Sequence, residues 1–92
     1  MSGVRIERIR EALSRALSPV QLDIIDESHL HAGHAGARSG RGHFRLTVVS
    51  DGFTGHSPIA RHRMVYAALG DLMHTDIHAL SIEALTPDEQ RS

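Results

Sequence analysis

The segment Asp26–Ser50, DESHLHAGHAGARSGRGHFRLTVVS, organises the rest of this chain. It begins where an apolar segment ends, passes through a loop rich in histidine and glycine, and closes with the alternating residues 43–50. Three histidines, His29, His31 and His34, lie close together in that loop. Imidazole is the commonest metal ligand among protein side chains and titrates near neutral pH. A loop that carries several of them between two strands is therefore a candidate functional site.

The segments on both sides of the loop have the two-residue alternation of β-strands. Residues 20–26 predict a first strand with one buried face, and residues 43–50 predict a second. The predicted inward side chains are Val20, Leu22 and Ile24 in the first strand, and Phe44, Leu46 and Val48 in the second. The loop of residues 27–42 is longer than most hairpin connections, and loops of that length are commonly functional or disordered.

Helical spacing predicts two further regions. Residues 4–17 repeat apolar side chains every three or four positions, and Ser18-Pro19 ends that helix because the residue before proline avoids the α region. Ser57 as N-cap and Pro58 at the first helical position begin a second helix, which runs to about Met73 in one or two pieces. The predicted apolar face of the second helix contains Ile59, Val65, Leu69 and Leu72, with His62 and Tyr66 on the same side.

A third strand is predicted over residues 77–84, with Leu80 and Ile82 on its apolar face and His78 on that same face. A polar, frayed tail is expected from Thr86. The first two strands can pair antiparallel, and the last, which returns after a helix, joins as a parallel neighbour. The sequence therefore predicts one α+β domain over residues 1–92, a three-stranded mixed sheet with helices packed on one face, of the KH-like type.

Composition narrows the function. The 92 residues suffice for one small domain, and the formal net charge of −1 provides no global attraction to nucleic acid or membrane. There is no cysteine, which removes disulfides and thiolate ligands, and no long apolar run or secretory signal, so we expect a cytoplasmic protein. No Ser-His-Asp, paired-carboxylate or Walker-type arrangement is present, so we do not expect an enzyme.

Two short motifs have alternative interpretations. Gly52–Gly55 has the GxxG spacing of the KH backbone clamp, but a glycine turn with Phe53 folded onto the core is the favoured interpretation. Arg61-His62-Arg63 lies in the first turns of the second helix, where cations oppose the helix dipole. Its arginines therefore need a partner, which could be a carboxylate of another protein, a phosphate, or an acid of this chain such as Asp51.

Taken together, several segments resemble the BolA family. They are Asp26-Glu27-Ser28 with the histidine loop, His43-Phe44-Arg45-Leu46, Val48-Val49-Ser50, Phe53-Thr54-Gly55, Arg61-His62-Arg63-Met64-Val65-Tyr66 and His78-Ala79-Leu80-Ser81-Ile82. The resemblance implies the order α-β-β-α-α-β of the class II KH-like fold. It also implies two functions: pairing with monothiol glutaredoxins to hold or pass a [2Fe–2S] cluster, and, as the alternative, DNA binding in transcriptional control.

For the cluster, the resemblance implies one ligand at His78 and a second in the loop, where His31 matches best and His34 is the substitute. Since this chain has no cysteine, a glutaredoxin cysteine and a glutathione thiolate would supply the sulfur ligands. We expect a monomer alone and a heterodimer with the glutaredoxin. Arg61, His62 and Arg63 are the predicted contacts to a partner or to nucleic acid. His43, His56 and His74 are expected at the surface or a strand edge, without a role. Zinc or nickel binding by the loop histidines is the remaining alternative.

Overall fold

The computed structural model describes residues 2–28 and 42–90. The element order agrees with the predicted one, with one short helix added at the end. The elements are α1 (Ser2–Leu17), β1 (Gln21–Asp26), β2 (Gly42–Val49), α2 (Pro58–Leu69), α3 (Leu72–Thr75), β3 (Ile77–Leu85) and α4 (Pro87–Gln90).

The three strands form one mixed sheet in the order β1-β2-β3. β1 and β2 are antiparallel, with Leu22 opposite Val48 and Ile24 opposite Leu46, and β2 and β3 are parallel. This arrangement confirms the predicted α+β fold and the predicted strand directions. β1 begins one residue later than predicted, and Val20 is 61% exposed, so its predicted inward position is wrong.

The core lies between the inner face of the sheet and helices α1 and α2. Ile9 and Leu13 of α1 are fully buried, as the helical spacing predicted. The other buried members of the cluster are Phe44, Leu46, Val48, Phe53, Val65, Leu69 and Ile77. Every one is aliphatic except the two phenylalanines, because the chain contains only 3% aromatic residues. The opposite face of the sheet carries polar side chains such as Arg45 and Glu83, which are exposed.

The second helical region divides at Gly70, whose φ of 53° ends α2 before α3 begins. A positive φ is available to glycine at little steric cost, which is why the helix can stop there. The predicted cap is confirmed, since Ser57 Oγ accepts a hydrogen bond from the N–H of Ala60 at 3.2 Å. Val65 and Leu69 are buried as predicted, but Ile59 is 66% exposed. The prediction for Ile59 is therefore wrong.

The GxxG segment is a turn. Residues 51–53 form one turn of 3₁₀ helix, Phe53 is fully buried in the core, and Gly55 has a φ of 81°. The favoured interpretation from the sequence, a glycine turn with Phe53 folded onto the core, is thus confirmed.

Pro87–Gln90 form helix α4, where the polar sequence predicted a frayed tail. Thr86 and Glu89 bond each other reciprocally: the N–H of Thr86 donates to Glu89 Oε1 at 2.9 Å, and the N–H of Glu89 donates to Thr86 Oγ1 at 3.3 Å. This is the capping box of a helix N-terminus, with Pro87 at the first helical position. The side chain of Gln90 also donates to Gln21 at the start of β1, so the segment is attached to the sheet.

Candidate functional site

The start of β3 carries a β-bulge at His78. Gly42 of β2 lies opposite Ile77, whereas the next residue of β2, His43, lies opposite Ala79. His78 is therefore the extra residue between two regular pairs. Its side chain is exposed, while the preceding Ile77 is 1% exposed. Bulges of this kind often turn a side chain toward a functional site.

The bulge overturns part of the prediction for His78. The two-residue alternation placed His78 on the inner face with Leu80 and Ile82, which in the structure lie opposite Phe44 and Leu46 and pack against the core. Because one extra residue interrupts the pleat before Leu80, His78 is exposed rather than on the apolar face. The predicted role of His78 as a ligand does not depend on that face, because an exposed imidazole is accessible to a metal.

His43 lies beside His78 on the neighbouring strand. Their ring centroids are 5.1 Å apart, and the ring planes are inclined by 53°. His43 is only 8% exposed, so its predicted position at the surface or at a strand edge is wrong. The alternation predicts no burial at this position, since His43 lies on the same side of the strand as Arg45, which is exposed. The two strands thus bring together an enclosed imidazole and an exposed one.

Short backbone contacts fix the start of β2 next to this pair. The N–H of Glu27 donates to the carbonyl of His43 at 2.8 Å, and the N–H of His43 donates to Ser28 Oγ at 3.0 Å. A Cβ atom at Gly42 would lie 2.7 Å from Ser28 Oγ and 2.8 Å from the ring of Phe44. Only glycine fits this position without a shift of the turn or the core ring.

Asp76 lies two residues before the bulge and is 4% exposed. Its carboxylate accepts hydrogen bonds from the Thr75 hydroxyl at 2.5 Å and from Arg8 at 3.0 Å, and the Nε of Arg5 is 3.8 Å away. The carbonyl of Asp76 accepts from the N–H of Gly42 at 2.9 Å. The hydrogen bond from Thr75 is the main cause that lowers the pKa of Asp76, and Arg8 adds to it against the opposing effect of burial. We call Ser28, Gly42, His43, Asp76 and His78 the histidine end.

The loop histidines His31 and His34, which the resemblance implies as ligands, lie outside the described residues. The residues that border the loop are described, and Ser28 and Gly42 both adjoin His43 in the structure. The loop therefore leaves and re-enters the fold at the histidine end. Within residues 2–28 and 42–90, no group of three or more His, Asp or Glu side chains is arranged to hold a metal ion.

Arg61 lies at the opposite end of β3 and is bound within the chain. Its side chain is 11% exposed and donates to the two carboxylate oxygens of Glu89 at 2.6 and 3.1 Å. It also donates to the carbonyls of Ala84 at 3.1 Å and His56 at 2.9 Å. The guanidinium carbon lies 6.0 Å from the ring centroid of Phe53.

Of the alternatives that the sequence left open for Arg61, the structure contains the intramolecular pair, with Glu89 as the acid instead of Asp51. The hydrogen bond from Arg61 is the main cause that lowers the pKa of Glu89 to about 2, and the backbone N–H of Thr86 contributes next. We call Phe53, Arg61, Ala84, Thr86 and Glu89 the clasp end. Ala84 lies six positions after His78 along β3, which at about 3.3 Å per residue is roughly 20 Å.

His62 and Arg63 lie on the outward side of α2. His62 Nδ1–H donates to the carbonyl of Pro58 at 2.8 Å. A shallow groove on this side is lined by Pro58, Ile59, His62, Arg63 and Tyr66. The predicted inward orientation of His62 is therefore wrong, whereas Arg63 is exposed and accessible to a partner.

Among the helices of the described residues, none combines the length and the apolar character needed to cross a bilayer.

The family of this chain follows from its match to a family model. Residues 13–89 match the family model described as BolA-like protein. The chain belongs to the BolA family. It is 48% identical over 92 residues to SufE-like protein 1, chloroplastic/mitochondrial, of Arabidopsis thaliana, and this alignment covers 95% of the chain. Among solved structures, BolA1 from Arabidopsis thaliana has a TM-score of 0.78 and 45% identity, covering 90% of this chain and 92% of that one.

A bacterial BolA protein is also similar. The chain is 43% identical over 83 residues to the DNA-binding transcriptional regulator BolA of Escherichia coli strain K12, covering 90% of this chain and 76% of that protein. By contrast, the chain spans only 25% of the length of SufE-like protein 1. What that longer protein does as a whole is therefore not carried over to this BolA chain.

Proposed function

We propose that this BolA protein is a non-enzymatic partner of a monothiol glutaredoxin, and that it supplies histidine ligands to a shared [2Fe–2S] cluster for assembly, trafficking or iron sensing. The observation that carries the proposal is the pair His43–His78, with ring centroids 5.1 Å apart at the end of the sheet where the histidine loop is attached. In such a complex the cluster is the cargo, and it provides a redox-active iron centre held between the two proteins.

The separation of the two rings suits a shared metal. With nitrogen–metal bonds of about 2.0–2.1 Å, two imidazoles on one tetrahedral metal have ring centroids about 5 Å apart. Histidine can replace cysteine on an iron of a [2Fe–2S] cluster, as in Rieske centres, where two histidines bind one of the two irons. The residues present at the histidine end therefore fit such a group.

This donor set is incomplete on its own, which favours a partner. Four ligands are needed for the cluster, and the chain contains no cysteine. Sulfur ligands would have to come from outside, and a glutaredoxin cysteine with a glutathione thiolate would supply two. Of the two described histidines at this end, the exposed His78 is the one that a partner can reach more directly. His43, His31 and His34 are the candidates for the second ligand.

The test is to mix the metal-free protein with a cluster-loaded monothiol glutaredoxin and to record visible absorption and circular dichroism. We expect a changed cluster spectrum and a 1:1 complex, both lost in His78→Ala. The matched control is His74→Ala, an exposed histidine on the preceding short helix. Separate variants His31→Ala, His34→Ala and His43→Ala then identify the second ligand. An unchanged spectrum with the wild-type protein, or a complex that His78→Ala leaves intact, overturns the proposal.

DNA binding is the second candidate, because the similar protein of Escherichia coli is named a DNA-binding transcriptional regulator. The surface offers it limited support. Arg61 is occupied by Glu89, so Arg63 and His62 are the residues of the predicted basic segment that face outward. A nucleic-acid binder normally presents a larger basic patch. Titration with duplex DNA across a salt series tests this candidate, since phosphate contacts give an affinity that falls steeply with salt.

A further inference from the structure

Asp76, between α3 and β3, takes part in several hydrogen bonds and in an ion pair. Its carboxylate is bound by Thr75 and Arg8, with Arg5 nearby, so that two α1 side chains meet the residue that precedes β3. Its backbone N–H donates to the carbonyl of Leu72 at 2.9 Å. Both the side chain and the main chain are thus held, although the residue belongs to neither a long helix nor a strand.

The main-chain bonds of Asp76 connect it to both histidines. Its carbonyl accepts from the N–H of Gly42, which is the residue immediately before His43. The strand then continues through Ile77 to the bulge at His78. A shift of Asp76 would consequently move the start of β2 and the start of β3 together, and with them the relative position of the two rings.

We propose that Asp76 is the positioning residue for the His43–His78 pair, an inference that rests on the proposed function. Asp76 is held by Thr75 and Arg8, and it fixes the bulge that turns His78 outward beside His43. Asp76 itself does not touch the cluster in this proposal. It acts on the histidines as an outer-shell residue acts on metal ligands, which are usually oriented by neighbours whose loss weakens metal binding.

A purely structural role would have a different signature. If Asp76 only contributed to stability, any substitution with an equal loss of stability should affect the pair equally. Glu89 provides the matched case, because it is also a carboxylate bound by an arginine, and it lies beyond the opposite end of β3. Asp76→Ala and Glu89→Gln should therefore separate positioning from stability.

The first measurement uses the protein alone. Proton NMR cross-peaks between the rings of His43 and His78 report their contact without any metal or partner. We expect these cross-peaks to weaken or disappear in Asp76→Ala, to persist in part in Asp76→Asn, which keeps an oxygen for the Thr75 hydroxyl, and to be unchanged in Glu89→Gln. Should Asp76→Ala fail to fold, Arg8→Ala removes one carboxylate contact from an exposed side chain and is expected to weaken the cross-peaks as well.

The second measurement is the affinity for a cluster-loaded monothiol glutaredoxin. Losses of outer-shell partners typically weaken metal binding by about 10- to 100-fold, and we expect a loss of that size for Asp76→Ala and less than about twofold for Glu89→Gln. Unchanged cross-peaks in folded Asp76→Ala, or in Arg8→Ala where Asp76→Ala does not fold, would overturn the proposal. If the wild-type protein forms no complex, the proposed function fails, but the NMR comparison still decides whether Asp76 positions the pair.

Discussion

The two ends of β3 use their polar side chains differently. At the clasp end, Arg61 is bound within the chain: it donates to Glu89 and to two carbonyls, and the capping box of Thr86 attaches α4 to the same cluster. At the histidine end, the buried Asp76 joins the starts of β2 and β3 through its main chain, and His78 is exposed on a bulge. The contrast agrees with a role in stability for the clasp end and, under the proposed function, with a role in binding for the histidine end.

The largest effect is expected when the stabilities of alanine variants at two arginines of α2 are compared. Arg61→Ala removes the donor for Glu89 and for the carbonyls of Ala84 and His56, and polar groups left without partners are costly. We expect the largest loss of stability of this set, measured by urea unfolding with far-ultraviolet circular dichroism, since the chain has no tryptophan. Arg63→Ala, at an exposed position, should change the free energy of unfolding by no more than about 0.5 kcal/mol.

Neither arginine variant should alter the ring contact of His43 with His78 beyond what the loss of folded protein explains. Equal losses of stability for the two variants would contradict the assignment of Arg61 to the clasp.

The next test moves to the histidine end, where one position is expected to affect both stability and the pair. Gly42→Ala places a methyl group against Ser28 Oγ and the buried ring of Phe44, at 2.7 and 2.8 Å. Overpacking of this kind typically costs about 1–3 kcal/mol. We expect that loss in urea unfolding, together with weaker cross-peaks between His43 and His78. The control is Gly3→Ala, where a Cβ meets nothing within 4 Å; a Gly42→Ala protein as stable as this control would refute the close contact.

Much of the fold follows from the sequence. The features that could not be predicted have physical explanations. The fold was predictable because alternation and helical spacing agree along the chain, and Ser57-Pro58 marks the start of α2 by local chemistry alone. Exposure of Ile59 was not predictable from spacing, because one turn at the beginning of a helix can extend past the sheet that it packs on.

The histidine pair depends on register between strands, which one strand's sequence does not contain. The alternation around His78 is uninterrupted in the sequence, and only the pairing with Gly42 and His43 creates the bulge. The partner of Arg61 was missed for a different reason. Thr86-Pro87-Asp88-Glu89 has the spacing of a capping box and a proline at the first helical position, so a helix containing Glu89 was a detectable signal in a segment that the sequence analysis predicted to be frayed.

The mildest test of the contrast is acid, because it acts on the clasp without removing an atom. The pKa of Glu89 is lowered from its ordinary 4.5 to about 2, with the hydrogen bond from Arg61 as the main cause. A carboxylate with a lowered pKa in the folded state stabilises the protein above its unfolded pKa, and this contribution is lost as the pH falls toward the folded pKa. We therefore expect the stability of the wild-type protein to decline between about pH 4.5 and pH 2, and Glu89→Gln to flatten that decline while lowering stability at neutral pH.

Asp76, whose pKa is also lowered, should leave a residual slope in the Glu89→Gln variant. Asp88→Asn, which changes the exposed neighbouring acid, is the control and should retain the wild-type slope. An identical acid response in wild type and Glu89→Gln, measured by urea unfolding at several pH values, would show that the bond between Arg61 and Glu89 contributes nothing to the clasp end.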